Sequence, residues 1–268
     1  MRLLAFLALT GSLCAFEYKP WFGKLWEFEF RPAYTFRYYN DVQNGFNPRD
    51  YSSVDQWIEY GLGLSPWQTI DVQVEMNYAD THRHAWSYLS TAVLFRYLAW
   101  DDIAGDPVSW TLNASMRSVN GHFLDDVSIP YHANLNLDLS TAIGKEFDKL
   151  YNWVVRVWGL FGFGIGNRGA PYLTALARVE GNLSDCQRLG IVVDSLWGLG
   201  GQQGVNVDRF NSYANINHQS VDVGGRYTYQ FGVWGDLSLS YTYRVYAHNF
   251  PQNAQTARVE YRMPFAVF

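Results

Sequence analysis

From residue 25 to the C-terminus, apolar and polar residues alternate over short segments separated by turns or irregular stretches. A repeat of two belongs to a β-strand and does not fit the 3.6-residue repeat of a helix. The chain is therefore expected to be all-β and antiparallel. The first segment, about Leu25 to Tyr39, sets Trp26, Phe28, Phe30, Tyr34, Phe36 and Tyr38 against Glu27, Glu29, Arg31, Thr35 and Arg37. The second sets Val54, Ile58, Tyr60, Leu62 and Leu64 against Asp55, Trp57 and Glu59. After a turn expected at Ser65-Pro66-Trp67-Gln68, the third opposes Ile70, Val72, Val74, Met76 and Tyr78 to Asp71, Gln73, Glu75 and Asn77. Further segments fall near 86–99, 108–117, 133–143, 153–166, 172–180, 189–198, 221–231, 237–245 and 257–268, twelve in all. Segment 86–99 is apolar on both faces, so only its length and flanking turns mark it as a strand.

An alternating strand separates two unlike surroundings. In a secreted sandwich or lipocalin-like barrel these are a dry core and water. In a membrane barrel they are lipid outside and a polar lumen inside. Nearly every segment here opposes large apolar residues to charged ones, and unpaired charge on a core face is costly. The connections add a second argument. Those near 65–69, 100–107, 146–151, 181–187 and 232–235 are short, whereas 40–53, 118–131 and 199–217 are long. An even strand count, short turns at one end and long loops at the other suit a membrane barrel with both termini on the periplasmic side. Trp26, Trp67, Trp100, Trp153 and Trp234 fall at the short-turn end, as an aromatic girdle would. Tyr38, Tyr78, Trp86, Tyr131, Tyr172 and Tyr246 gather near the other. The expected fold is an antiparallel transmembrane β-barrel of about twelve strands spanning 16–268.

Residues 1–15 have the layout of a signal peptide: Arg2, an apolar run from Leu3 to Leu9, and small residues toward Ala15. Cleavage is expected after Cys14 or Ala15, which leaves Cys186 without a partner for an internal disulfide. Aromatics make up 18% of the chain and charged residues only 17%, against a usual ~25% charged. A net charge of −5 gives no footprint for nucleic acid. The last strand, Ala257 to Phe268, ends in an aromatic residue and resembles the assembly signal of Gram-negative outer-membrane barrels. That resemblance implies outer-membrane localisation, recognition by the barrel-assembly machinery, and contact with membrane lipid and lipopolysaccharide. Phe268 is out of step with Tyr261 and Phe265 unless Pro264 marks a bulge.

The inward face carries the candidate functional residues. Glu27, Glu29, Asp55, Glu59, Asp71 and Glu75 would form an acidic wall along the first three strands. Arg226, Arg244, Arg258 and Arg262, with Asp222 and Glu260 among them, would form a basic wall along the last three. Arg31, Arg37, Arg117, Asp138, Arg156 and Arg178 complete the expected lining. Opposed walls put a transverse field across a lumen and sort solutes by charge. The arrangement resembles porin constrictions, which implies passive diffusion of small hydrophilic solutes without a cofactor. Two states suit such a lining: an open or narrow channel, or a lumen closed by ion pairs or an inward-folded loop. Glu27 and Glu29 could pair with Arg258 and Arg262, because first and last strands adjoin in a closed barrel.

Other chemistry is thinner. His218-Gln219-Ser220 resembles the Ser–His spacing of outer-membrane phospholipases. Yet these side chains share the inward frame of Asp222, no Asn partner is evident, and that family's site faces lipid. A closed structural or adhesive barrel acting through its long loops is a further alternative. Thr81-His82-Arg83-His84 reads as a solvated loop, because two imidazoles without a third ligand make a poor metal site. Asp125-Asp126 lacks the spacing of a calcium loop. The glycines at 159, 162, 164 and 166 suit bending or close packing inside the barrel.

Overall fold

The computed structural model describes residues 16–48, 50–149 and 152–266. Twelve antiparallel strands close into one barrel: β1 (Phe28–Tyr39), β2 (Ser53–Trp67), β3 (Ile70–Asp80), β4 (Ser87–Trp100), β5 (Ser109–Val119), β6 (Leu135–Lys149), β7 (Asn152–Gly166), β8 (Tyr172–Ser184), β9 (Gln187–Gly198), β10 (Gln219–Gln230), β11 (Asp236–His248) and β12 (Gln255–Phe265). Each strand pairs with its neighbours in sequence, and β1 also pairs with β12, so Tyr34 lies between Ile58 and Val259. Closure leaves no unpaired sheet edge.

Alternation fixes which side faces where. Tyr34, Phe36, Leu62, Val74, Phe95, Leu112, Leu139, Phe161, Ile191, Val245 and Val259 are exposed, while Arg31, Arg37, Asp55, Glu59, Glu75, Arg96, Arg244 and Arg258 are buried. This inversion gives an apolar outer belt around a charged interior, as a barrel in lipid requires. So wide a continuous apolar surface exceeds what a water-facing monomer carries.

Several local expectations change. The chain stays extended through Trp67 and turns at Gln68–Thr69, with the irregularity absorbed between Leu64 and Trp67. Pro264 makes no bulge against β1: Phe28 pairs with Phe265 and Ala33 with Glu260 in one register. That ladder skips Arg31 and Pro32, where proline offers no N–H. Residues 1–15, with the signal peptide and Cys14, and the terminal Phe268 lie outside the described residues.

The girdle is also partial. Trp26, Trp67, Trp100 and Trp234 are exposed at the short-turn end. Trp153 instead lies under the Arg156 and Arg188 guanidiniums, at 4.3 and 5.4 Å from its ring centroid. At the other end, Tyr172 is buried, and Tyr131 lies beneath Arg117.

Both ends of the lumen are filled. At the long-loop end the connections are folded, not open. Gly45–Phe46 pairs with Val205–Asn206, and Asp41–Val42 with Pro251–Gln252. Tyr39, Val42, Val127, Val205, Phe210, Tyr213, Ile216 and Phe250 pack into a shared apolar core over the mouth. A second cluster joins Phe123, Leu124 and Ile129 to Trp57, Leu89 and Val119. His84 belongs there too: it is buried, with Nε2 2.6 Å from Asp125 Oδ1, so the 81–84 loop is solvated at His82 but anchored at His84, not solvated throughout as expected. Buried Asp126 accepts from Ser128 N–H at 2.8 Å.

At the short-turn end, the chain ahead of β1 lies inside the barrel. Phe16 packs on Ala92 and Leu94, and Trp21 on Ala142, Trp158 and Leu160. This explains why β4 is apolar on both faces: its inner face is a seat for the N-terminal segment. Gly144 leaves the room for it, because a Cβ there would fall 2.8 Å from Trp21, Pro20 and Trp158.

Candidate functional site

The inward charges form ion pairs and not opposed walls. Arg37 reaches Asp55 at 2.8 Å, Arg96 reaches Asp71 at 2.7 Å and Arg117 reaches Glu75 at 2.8 Å, all along the wall expected to be acidic. Arg258 pairs with Glu59 at 2.6 Å and with Glu260 at 3.0 Å. Arg262 pairs with Glu29 at 3.2 Å and with Asp236. Arg226 takes Glu260 at 2.7 Å, and Arg244 takes Asp222 at 2.6 Å. In the middle strands Arg156 meets Glu146 at 2.5 Å and Arg178 meets Glu180 at 2.8 Å. Glu27 precedes β1 and pairs with exposed Lys24 at 3.6 Å. Opposite charges lie at matching depths on strands one or two apart, or within one strand, so short-range pairing offsets the expected transverse field.

Arg31 stands apart. It is buried, donates from Nη2 to Gln73 Oε1 at 2.7 Å, and leaves Nε and Nη1 without a hydrogen-bond partner among the described residues. Arg96, Glu146, Arg188 and Asp236 also belong to this lining, and the alternation of the sequence does not mark them. Arg96 hides in the apolar run of β4; Glu146 and Asp236 fall in stretches read as turns or turn borders.

The N-terminal segment is tied to this ladder. Phe16 N–H donates to Glu75 Oε2 at 3.1 Å, and Glu17 N–H to Gln73 Oε1 at 2.9 Å. Arg96 Nη1 donates to Lys19 O at 2.7 Å, and the Arg96 guanidinium lies 4.5 Å from the Phe22 ring centroid. Trp21 Nε1–H donates to Asp102 Oδ1 at 2.8 Å. Asp102 also accepts from Ser109 Oγ–H and Glu146 N–H. Partial burial pushes its pKa up, but these hydrogen bonds outweigh it and hold the carboxyl below its ordinary value. The segment therefore fills the short-turn half of the lumen with backbone bonds that the arginine and carboxylate ladder supplies.

Above it lies a chamber of about 240 Å³. Tyr18 of the N-terminal segment forms its floor, and Pro130, Tyr131, His132 and Phe250 of the cap form its roof. Its walls include Arg37, Arg117, Asp138, Leu160, Leu176, Asp194, Leu196, Asp222 and Arg244. The glycines of β7 shape one side. A Cβ on Gly164 would fall 2.6 Å from Asp138 Oδ1 and overlap the Tyr172 ring, which crosses this strand so that its hydroxyl bonds Asp138.

His218 sits at the roof in an arrangement unlike the phospholipase spacing. Its Nε2 faces His132 Nε2 at 2.9 Å, and both rings are buried among Tyr172, Tyr213 and Phe250. One ring donates and the other accepts, which requires at least one neutral imidazole. Burial pushes His132 down to about 3 and holds His218 well below its ordinary value, with His132 and Arg244 adding to the latter.

No family model matches the sequence, and neither does any curated protein. Solved structures do match. An outer-membrane channel from Pseudomonas putida F1 aligns with a TM-score of 0.66 and 10% identity, over 93% of this chain and 99% of that one. A NanC porin aligns with a TM-score of 0.55 and 8% identity, over 88% and 98% of the two chains. A KdgM porin in complex with disordered oligogalacturonate aligns with a TM-score of 0.54 and 9% identity, over 88% and 99%. The fold is that of outer-membrane barrel channels.

Proposed function

We propose that this protein is an outer-membrane channel for small hydrophilic solutes, in a conformation closed at both ends. The observation that carries this reading is a charged interior holding a chamber of about 240 Å³ inside a predominantly apolar outer belt. An arginine and carboxylate lining stabilises water and polar solutes where a purely structural barrel would pack apolar side chains. Passage requires the N-terminal segment to leave its seat and the cap to part. The membrane partners follow: lipid and lipopolysaccharide around the belt, and assembly through the C-terminal strand. The similarity to channels supports this reading at the level of fold. An enzymatic role has less support, because His218 Nε2 is engaged by His132.

Single-channel recording on the purified barrel tests the proposal. The full chain should give small or infrequent steps, and a variant lacking residues 16–22 should give larger, persistent ones. Silence from both, with the folded barrel verified by its heat-sensitive gel migration, would overturn a channel role.

A further inference from the structure

The chamber contains an acidic imbalance. Among the described residues, nearly every buried or half-buried carboxylate on the inner faces of the strands has an arginine within 4 Å. Asp138 and Asp194 have none, and both line the chamber. Asp138 accepts hydrogen bonds from the Tyr172 hydroxyl and from Ser115 Oγ–H at 3.3 Å. Asp194 accepts from the Ser195 backbone N–H. Neutral donors satisfy part of each carboxylate without cancelling its charge.

The three arginines on the chamber wall do not supply the missing countercharge. Arg37 is held by Asp55, Arg117 by Glu75 and Arg244 by Asp222, each at 2.8 Å or less. Asp194 also faces Asp222 directly across the β9–β10 pairing, so two acids share one guanidinium there. Taking each arginine with its partner, the chamber is left with two uncompensated carboxylates. Between them lie Leu160, Leu176 and Leu196, on the adjoining strands β7, β8 and β9. A carboxylate held against an apolar wall either takes up a proton or finds a counterion, and a cation within reach favours the second.

We propose that the chamber binds a small organic cation, a primary ammonium on a short apolar chain. The ammonium takes the place of the absent arginine at Asp194 or Asp138, and its methylenes lie on the leucines. The ammonium has three donors, which suits carboxylate oxygens whose other contacts are already made by neutral groups. This inference rests on the channel reading for its physiological meaning, since it names the solute class that the lumen would favour.

The test uses the purified full-length barrel in detergent at neutral pH, with n-butylammonium as the probe in calorimetric titration. n-Butanol carries the same chain without the charge, and butyrate reverses the charge. Butylammonium should bind at least tenfold tighter than either, because charged hydrogen bonds are worth more than neutral ones. At least one of Asp194→Asn and Asp138→Asn, at the carboxylate that holds the ammonium, should remove tenfold or more of that preference, while butanol still binds. Heat-sensitive gel migration confirms that each variant is folded. Equal binding of butylammonium and butanol, or a preference that survives both substitutions, would overturn the cation site. Bilayer recording separates this from the channel reading. Binding with silent bilayers, even without residues 16–22, would sink the channel and leave the site. Conductance without any preference for butylammonium would do the reverse.

Discussion

At residue scale, the interior shows how a barrel carries many charges by pairing them. Arg37 and Asp55 are essentially inaccessible, and Arg37 also donates to Ser128 O and stacks 4.5 Å from Trp57. Breaking such a pair leaves a buried charge, which costs about 3–5 kcal/mol. Asp55→Asn should therefore lower barrel stability by about that amount, read as the midpoint shift in urea unfolding from detergent. An unshifted midpoint would mean that water reaches Arg37 in solution. Gly164 makes the opposite kind of case. Gly164→Ala should cost about 1–3 kcal/mol by overpacking against Tyr172, and the same measurement on Gly164→Ala in a Tyr172→Ala background should recover most of the loss. These contacts were only partly legible in the sequence. The glycine run was visible as a close-packing signal, but the ring that fills it comes from another strand.

At the scale of elements, the cap and the N-terminal segment are the parts that fill the two ends of the lumen. The cap rests on the His132–His218 pair, whose rings stack with Tyr172 and Phe250 beside Arg244. An unfolded imidazole protonates near pH 6.5, whereas burial holds His132 down to about 3 in the native fold. The stability that the neutral His132 contributes is thus complete above pH ~6.5 and falls as pH drops toward 3, by about 1.4 kcal/mol per unit. Hydrogen exchange at the Tyr213–Ile216 amides should quicken over that window in the native protein. His132→Gln should flatten the dependence; an unchanged slope would show that His132 does not carry it. For the N-terminal segment, Trp21→Ala removes both the bond to Asp102 and the packing on Trp158. It should raise channel open probability several-fold in bilayer recordings, and equal opening would show that Trp21 does not hold the segment in place. Neither element has an alternating pattern, so the sequence could mark them only as loop and leader-adjacent chain.

At the scale of the whole molecule, closure sets the electrostatics. The first and last strands adjoin only because the sheet closes, which brings Arg258 to Glu59 and Arg262 to Glu29. A reversal potential under a salt gradient should accordingly be modest in a barrel lacking residues 16–22, and Arg258→Gln with Arg262→Gln should make it more cation-selective. A strongly anion-selective parent channel would contradict the paired lining. Strand number, order and facing were determined by the sequence itself, because period-two alternation is local and each face meets a single solvent. The register of the charges, the seat for the N-terminal segment and the folded cap were decided only by the tertiary structure. They depend on which side chains share a depth in the lumen, and residues as distant as Arg262 and Glu29 acquire that relation only when the barrel closes.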